Sequence, residues 1–265
     1  MKELLQTASE NVSFLLVSLL VFAALVAVAK LSERLVHADL HRPTQSRYIA
    51  FVAMSAALGG ILMYFEIPLF FAPSFYQLDL SEIPVLICSF YLGPVAGVIT
   101  EFLKVVIKLF IKGTSTAFVG DFANFVVGCT FILPATIFYH IRKTRKMAVV
   151  GMVAGTIIMA ICGSLFNALY LLPTFSVLYG MPLDAIVGMG QAVNPAINSV
   201  TMLVLLAVVP FNLLKGAVVS VVTFALYKRT ERALSGGRLP QPRRPDPPPS
   251  GRAGSSFGRT GSRLG

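Results

Sequence analysis

Apolar residues run almost unbroken through 13–29, 48–65, 148–172 and 200–227. Each stretch reaches or approaches the roughly 20 residues that a helix rising about 1.5 Å per residue needs to cross a bilayer. Neither a two-residue nor a soluble amphipathic rhythm dominates them, so lipid rather than water is the expected solvent on their outer faces. The first stretch is long, lacks a small-residue cleavage site and is followed by further spans, which argues against a cleaved secretory signal. A fifth apolar segment ends near Tyr139. Residues 83–112 are apolar too, but are interrupted at Gly93-Pro94 and Gly97, where proline removes a backbone donor and glycine lowers helix propensity.

The polar residues between the spans decide orientation. Lys30, Arg34, Arg42 and Arg47 follow the first span, Arg142, Lys143, Arg145 and Lys146 follow the one ending near Tyr139, and Lys228, Arg229 and Arg232 follow the last. Basic clusters of this kind mark the cytoplasmic side. Loops 66–82 and 173–199 contain no Lys or Arg, only Glu66, Asp79, Glu82 and Asp184, and are expected outside. For the Arg142–Lys146 cluster to be inside, residues 83–112 must cross twice, as a hairpin. The expectation is seven spans, one leading helix plus six, at the cost of placing Lys112 near the outer face with Lys108 and Lys104 below it.

Composition agrees with that solvent: 55% of the 265 residues are hydrophobic and 13% charged, too little polar surface to wrap a soluble core. The net charge of +10 would point a soluble protein toward nucleic acid. Here the cations sit beside the spans, so no nucleic-acid role is expected and lipid is the partner. Cys88, Cys129 and Cys162 lie inside apolar stretches without CxxC spacing and read as small packing residues. From Ser235 the chain turns to Gly, Pro, Ser and Arg, including Pro247-Pro248-Pro249, a composition expected to stay disordered. Three regions result: 1–47, a leading helix and basic linker; 48–230, a six-helix membrane domain; and 235–265, a basic tail.

Loop 66–82 is aromatic for an exposed connection, with Phe70, Phe71, Phe75 and Tyr76. It reads either as a lid over a ligand or as a re-entrant stretch packed between helices. Polar residues within spans are costly and face the bundle interior, a cavity or a partner. Glu101 and Lys104, three apart, form either an ion pair or part of a transport site. Asp121, Asn124 and Asn167 read as interhelical glue or as ligand contacts. Asn212 and Lys215 share one face of the last span just after Pro210, and an amide with one cation suits the carbonyl and imide edge of a heteroaromatic ring. Ala53 and Ala57, four apart among Ala50, Ala56, Gly59 and Gly60, permit close approach of another helix, from within the chain or from a partner.

Five words in order carry a resemblance: Leu78-Asp79-Leu80-Ser81-Glu82-Ile83-Pro84; Gly93-Pro94 with Gly97; Gly120-Asp121-Phe122-Ala123-Asn124-Phe125; Asn167 followed by Pro173; and Pro210-Phe211-Asn212-Leu213-Leu214-Lys215-Gly216. From about Tyr48 to Lys228 the chain resembles the riboflavin-binding S components of energy-coupling factor (ECF) vitamin transporters. The resemblance implies an all-α membrane protein in a prokaryotic plasma membrane, a six-helix bundle here preceded by one additional helix. It implies capture of riboflavin from outside, beneath the first external loop, as cargo and with no cofactor. The contacts it implies are Asn167, Asn212 and Lys215, with backbone around Leu78 and Asp79; Asn124, a polar residue within a span, is a further candidate ligand contact. Partners would be a T component, met through Ala53 and Ala57, and two ABC ATPases.

The chain holds no Walker A motif, and Leu234-Ser235-Gly236-Gly237 imitates an ABC signature only by chance. An enzyme is disfavoured: His37, His41 and His140 lie away from span centres, and neither HExxH nor GxSxG occurs. Another vitamin, a flavin phosphate, or a scaffold without ligand remain as alternatives.

Overall fold

The computed structural model describes residues 2–36, 44–114 and 118–234. Arg42, His37, His41 and the tail 235–265 lie outside the described residues. One compact unit covers Met1–Lys228, and everything below concerns that unit. Its helices are α1 (Lys2–Leu35), α2 (Gln45–Tyr64), α3 (Glu82–Leu92), α4 (Pro94–Lys112), α5 (Val119–Ile141), α6 (Arg145–Phe166), α7 (Leu172–Tyr179), α8 (Leu183–Val193), α9 (Val200–Leu203) and α10 (Val209–Leu234). Two residues each of β1 (Ile67–Pro68) and β2 (Gln77–Leu78) pair antiparallel within the loop after α2.

Among the described residues, five helical stretches are long and apolar enough to cross a membrane: Leu16–Leu35, Gln45–Tyr64, Val119–Ile141, Arg145–Val177 and Val200–Leu226. The chain is an all-α membrane protein. The count of seven spans is met only in part by residues 83–112. The break falls at Gly93-Pro94 as expected, with Gly93 at φ 109°, a region open to glycine. The two arms are unequal. The 19 residues of α4 are long enough, but four of them are Glu101, Lys104, Lys108 and Lys112. The 11 residues of α3 extend only about 16 Å at 1.5 Å each, half the hydrocarbon thickness. Residues 173–199, expected as a loop, contain most of α7 and all of α8.

Close backbone approach holds the bundle together. A Cβ on Gly151 would stand 2.5 Å from the Ala135 carbonyl oxygen, and one on Gly155 would stand 2.5 Å from that of Phe131. Residues 151 and 155 are one helical turn apart, so they form a groove in α6 into which α5 presses its backbone. One core joins Ile83, Leu86 and Phe90 of α3 to Phe131, Ile132 and Tyr139 of α5, Met152 and Met159 of α6, and Val219 of α10. A second gathers Ala72 and Tyr76 of the loop after α2 with Leu172, Ile186, Ile197, Leu203 and Phe211, and so covers one end of the bundle.

The leading helix packs on α4 and α5. Phe22 meets Phe102 at 4.9 Å and Phe125 at 5.7 Å between ring centroids, and Ala29 is fully buried. Near its end the Glu33 carboxylate accepts the Val95 backbone N–H at 3.0 Å, satisfying one of the donors left free in the first turn of α4.

Two helices are interrupted by single π turns, Asn167–Leu171 between α6 and α7 and Val204–Val208 between α9 and α10. Such turns widen a helix locally and recur at functional sites. The first begins at Asn167 and the second ends four residues before Asn212.

Candidate ligand-binding site

The loop between α2 and α3 is tied down at both ends. At its start the Glu66 carboxylate pairs with Lys112, which resolves the misplaced cation at the end of α4. Lys108, one turn earlier, pairs with Asp121 at 2.6 Å, and the other Asp121 oxygen accepts the Thr114 hydroxyl at 2.7 Å. The charges that ran against the orientation rule are thus neutralised locally. At the loop's exit Asp79 accepts the Ser81 backbone N–H at 2.9 Å and the Lys215 ammonium at 3.0 Å. Burial opposes ionisation of Asp79, but Lys215 and Lys104 together with the Ser81 donors outweigh it and hold this carboxyl well below the usual carboxylate range.

Between these ties Phe75 and Tyr76 bend inward. The Tyr76 hydroxyl donates to Asn167 Oδ1 at 2.8 Å, and its ring lies 4.6 Å from Phe75 and 5.6 Å from Phe211. Burial pushes the Tyr76 hydroxyl well above its ordinary range, so it remains a donor. Phe70, by contrast, is 91% exposed. The loop thus closes over one end of the bundle, with Ala72 and Tyr76 packed against the helices and Phe70 outside.

Beneath it lies a partly open cavity lined by Phe75, Tyr76, Gln77, Gly120, Ala123, Asn124, Val127, Asn167, Leu171, Phe175, Phe211, Asn212 and Lys215. A mostly apolar lining with a few convergent polar groups is the usual make-up of a small-molecule site. Of the expected contacts, Asn124, Asn167, Asn212 and Lys215 converge here. Leu78 and Asp79 do not line the cavity: Leu78 packs into the covering core, and Asp79 lies behind Lys215.

The amides are in different states. Asn167 donates to its own helix at Gly163 O, 2.9 Å, and accepts from Tyr76, so both ends are engaged. Asn212 is 2% exposed, and its Nδ2 finds no acceptor among the described residues. A buried donor without a partner costs about 1–3 kcal/mol, which a ligand acceptor would recover.

Lys215 is not a lone cation. Its ammonium lies 3.0 Å from Asp79 and 2.9 Å from Glu82, and Lys104 in turn contacts Glu82, Glu101 at 2.6 Å and Asn124 Oδ1 at 3.4 Å. The Glu101–Lys104 ion pair exists, but as part of a buried cluster of five. Sequence reasoning missed Glu82 and Tyr76 as members of this site. A carboxylate at a loop exit and an aromatic in an external loop carry no local sign that they meet residues 133 and 91 positions further on.

Ala53 and Ala57 are exposed, with Met54 and Leu58 beside them on the outer surface of α2, while Ala56, Gly59 and Gly60 face inward. A Cβ on Gly60 would come within 2.6 Å of Ile107. Internal packing thus uses the glycines, and the two alanines are left outside. Cys88 and Cys129 are buried packing residues, but Cys162 is exposed, so that reading fails for it.

A cavity with directional amides inside a helical membrane bundle is the geometry of a membrane receptor for a small molecule. A family model described as "ECF transporter, substrate-specific component" matches residues 47–227, and the chain belongs to that family. It is a substrate-binding transporter subunit, not an enzyme. It is 31% identical over 191 residues to the riboflavin transporter RibU of Staphylococcus aureus (strain TCH60), covering 72% of this chain and 93% of the relative. Identity to the riboflavin transporter FmnP of Bacillus subtilis (strain 168) is 29% over 172 residues, 64% and 85% of the two chains. A solved structure described as "Structure and mechanism of the S component of a bacterial ECF transporter" superposes with a TM-score of 0.59 at 31% identity, covering 72% of this chain and 99% of that one.

Proposed function

We propose that this S component captures riboflavin from the external side of a prokaryotic plasma membrane and delivers it to an ATP-driven ECF importer. The observation that carries this is the cavity under the lid, where the unpartnered Asn212 amide faces the same space as Asn167 and Lys215. Its relatives with riboflavin in their names support the choice of cargo. Asn167 and Asn212 hold the ring edge, and Asn124 offers a further amide from α5. Two of the three donors of Lys215 are directed at Asp79 and Glu82, which leaves one for a ligand oxygen. Asp79 and Leu78 act from behind, by fixing Lys215 and the lid. The exposed Ala53–Ala57 face is the docking surface for a T component, which would work with two ABC ATPases.

The test is direct. The detergent-purified protein should be yellow, should quench riboflavin fluorescence on titration, and should release riboflavin on denaturation, identified by mass spectrometry. Release of a different vitamin would change the cargo. No released molecule and no quenching would leave a scaffold.

A further inference from the structure

Two helices flank α4 on its outer side without closing over it. α1 meets it at Phe102, whose ring lies 4.9 Å from that of Phe22, and α2 meets it at Ile107, which a Cβ on Gly60 would approach to 2.6 Å. At about 100° of turn per residue, the outward arc of α4 between Phe102 and Ile107 carries Ile99, Leu103, Val106 and Phe110. The first three are half-buried, and Phe110 is 87% exposed. They form the floor of a groove, walled on one side by the exposed Ala53 and Ala57 of α2. Glu33 shows which flank of α1 makes the other wall: it reaches Val95 of α4 and is close enough to Tyr48 of α2 to act on its hydroxyl. By helical spacing Leu19, Ala23, Lys30 and Arg34 share that flank, and all four are exposed.

The two ends of the bundle treat their cations differently. Lys104, Lys108, Lys112 and Lys215 each have a carboxylate partner. Among the described residues, Lys30 and Arg34 have none, since Glu33 between them is turned to the Val95 N–H. Arg47, in the first turn of α2, is exposed at the same level. We infer that the groove between α1 and α2 holds an anionic phospholipid, its acyl chains on Ile99, Leu103 and Val106 and its phosphate at Lys30 and Arg34. Charge decides between lipid and a protein helix as the occupant: the groove's polar end offers only positive groups, at the level where headgroups lie. The site depends on the leading helix, because α2 and α4 alone supply a floor and one wall. A protein docking on Ala53 and Ala57 would displace this lipid.

The experiment is native mass spectrometry of the full chain from mixed micelles containing phosphatidylglycerol or, in parallel, phosphatidylcholine. Three variants accompany the parent. Lys30→Gln with Arg34→Gln removes both cations. Leu103→Trp fills the floor and leaves them in place. Arg145→Gln with Lys146→Gln removes two cations at the same end, at the start of α6 and away from the groove. The parent should retain phosphatidylglycerol about tenfold better than phosphatidylcholine, and the α1 pair should lower that retention by about tenfold or more. Leu103→Trp should lower it too, whereas the α6 pair should match the parent. Gel filtration reports whether each variant is folded, and should Leu103→Trp fail, Val106→Phe is a milder filling of the same floor. Equal retention of the two lipids by the parent, or retention of neither, overturns the inference. So does an α6 pair that loses as much as the α1 pair, which would make the attraction a property of the whole basic surface. Retention unchanged by filling the floor would put the lipid outside the groove, leave the groove to a protein helix, and overturn the inference as well.

Discussion

The cavity and the outer face of α2 are built by opposite means. Around the cavity, side chains are large, aromatic or charged, and almost every polar atom is directed at a particular partner: Tyr76 at Asn167, Lys215 at Asp79 and Glu82. On α2 the chain presents Ala53 and Ala57 beside Met54 and Leu58, with nothing directional. The first arrangement suits holding a small molecule in one orientation. The second lets another helix come close, since small residues admit backbone-to-backbone packing in lipid where hydrophobicity alone provides no drive. Gly59 stands between the two: a Cβ there would meet the Lys104 stem at 3.0 Å, so the charged cluster leans on the inner side of the helix whose outer side is open.

That division is broken most severely by filling the α2 face. Ala53→Leu with Ala57→Leu should abolish uptake in cells while riboflavin binding by the purified protein stays within about twofold of the parent, because both methyl groups point away from the cavity. Uptake and binding lost together would place these residues in the bundle's own packing.

The second largest effect belongs to Lys215→Ala. Removing the ammonium leaves Asp79 and Glu82 buried without their shared cation, and breaking a buried pair costs about 3–5 kcal/mol. The variant should lose more than two decades of riboflavin affinity and unfold at a lower temperature. Asn212→Ala removes a donor that has no partner in the protein, so it should weaken binding by about one to two decades with little change in thermal stability. Asn11→Ala, outside the family match, should bind like the parent. A drop in stability without a drop in affinity for Lys215→Ala would make that lysine purely structural.

How much of this was legible in the sequence follows from the range of each signal. Span positions and the Gly93-Pro94 break are local properties of composition and were readable. The pairing of Asn212 with Lys215 on one face needs only helical spacing, and it too was readable. What failed has long sequence separation or depends on length. Glu82 lies 22 residues before Lys104 and 133 before Lys215, and Tyr76 lies 91 before Asn167. No periodicity brings such residues together; only the packing of α3, α4 and α10 does. The shortness of α3 follows from its start near residue 83 and the break at Gly93-Pro94, whereas α8 was hidden because its residues lie between turn-forming Gly180, Pro182 and Pro195. The π turns have no compositional mark beyond nearby Pro173 and Pro210.

Orientation can be checked without disturbing either region. In a background lacking Cys88, Cys129 and Cys162, single cysteines at Ser74 and Ser176 should react with an impermeant maleimide in intact cells, and one at Thr144 should not. Labelling at Thr144 alone would reverse the lid to the cytoplasmic side and remove capture from outside.

The smallest expected effect concerns α1, which belongs to neither region. Its Glu33 carboxylate reaches across to the Val95 N–H at 3.0 Å, in the first turn of α4 beside the Gly93-Pro94 break. A carboxylate there satisfies a free backbone donor and opposes the positive end of the helix dipole. Contacts of this type are worth about 1 kcal/mol when made by a capping side chain. Glu33→Ala should therefore lower the midpoint of thermal unfolding by only a few degrees. Riboflavin affinity should not move, because the residues that line the cavity come from other elements than α1 and α4. Glu33→Gln should recover part of the loss, since the amide oxygen still accepts but carries no charge. If Glu33→Ala instead weakened binding as much as Asn212→Ala, the leading helix would be coupled to the pocket through α4, and the separation between the two regions would have to be drawn elsewhere.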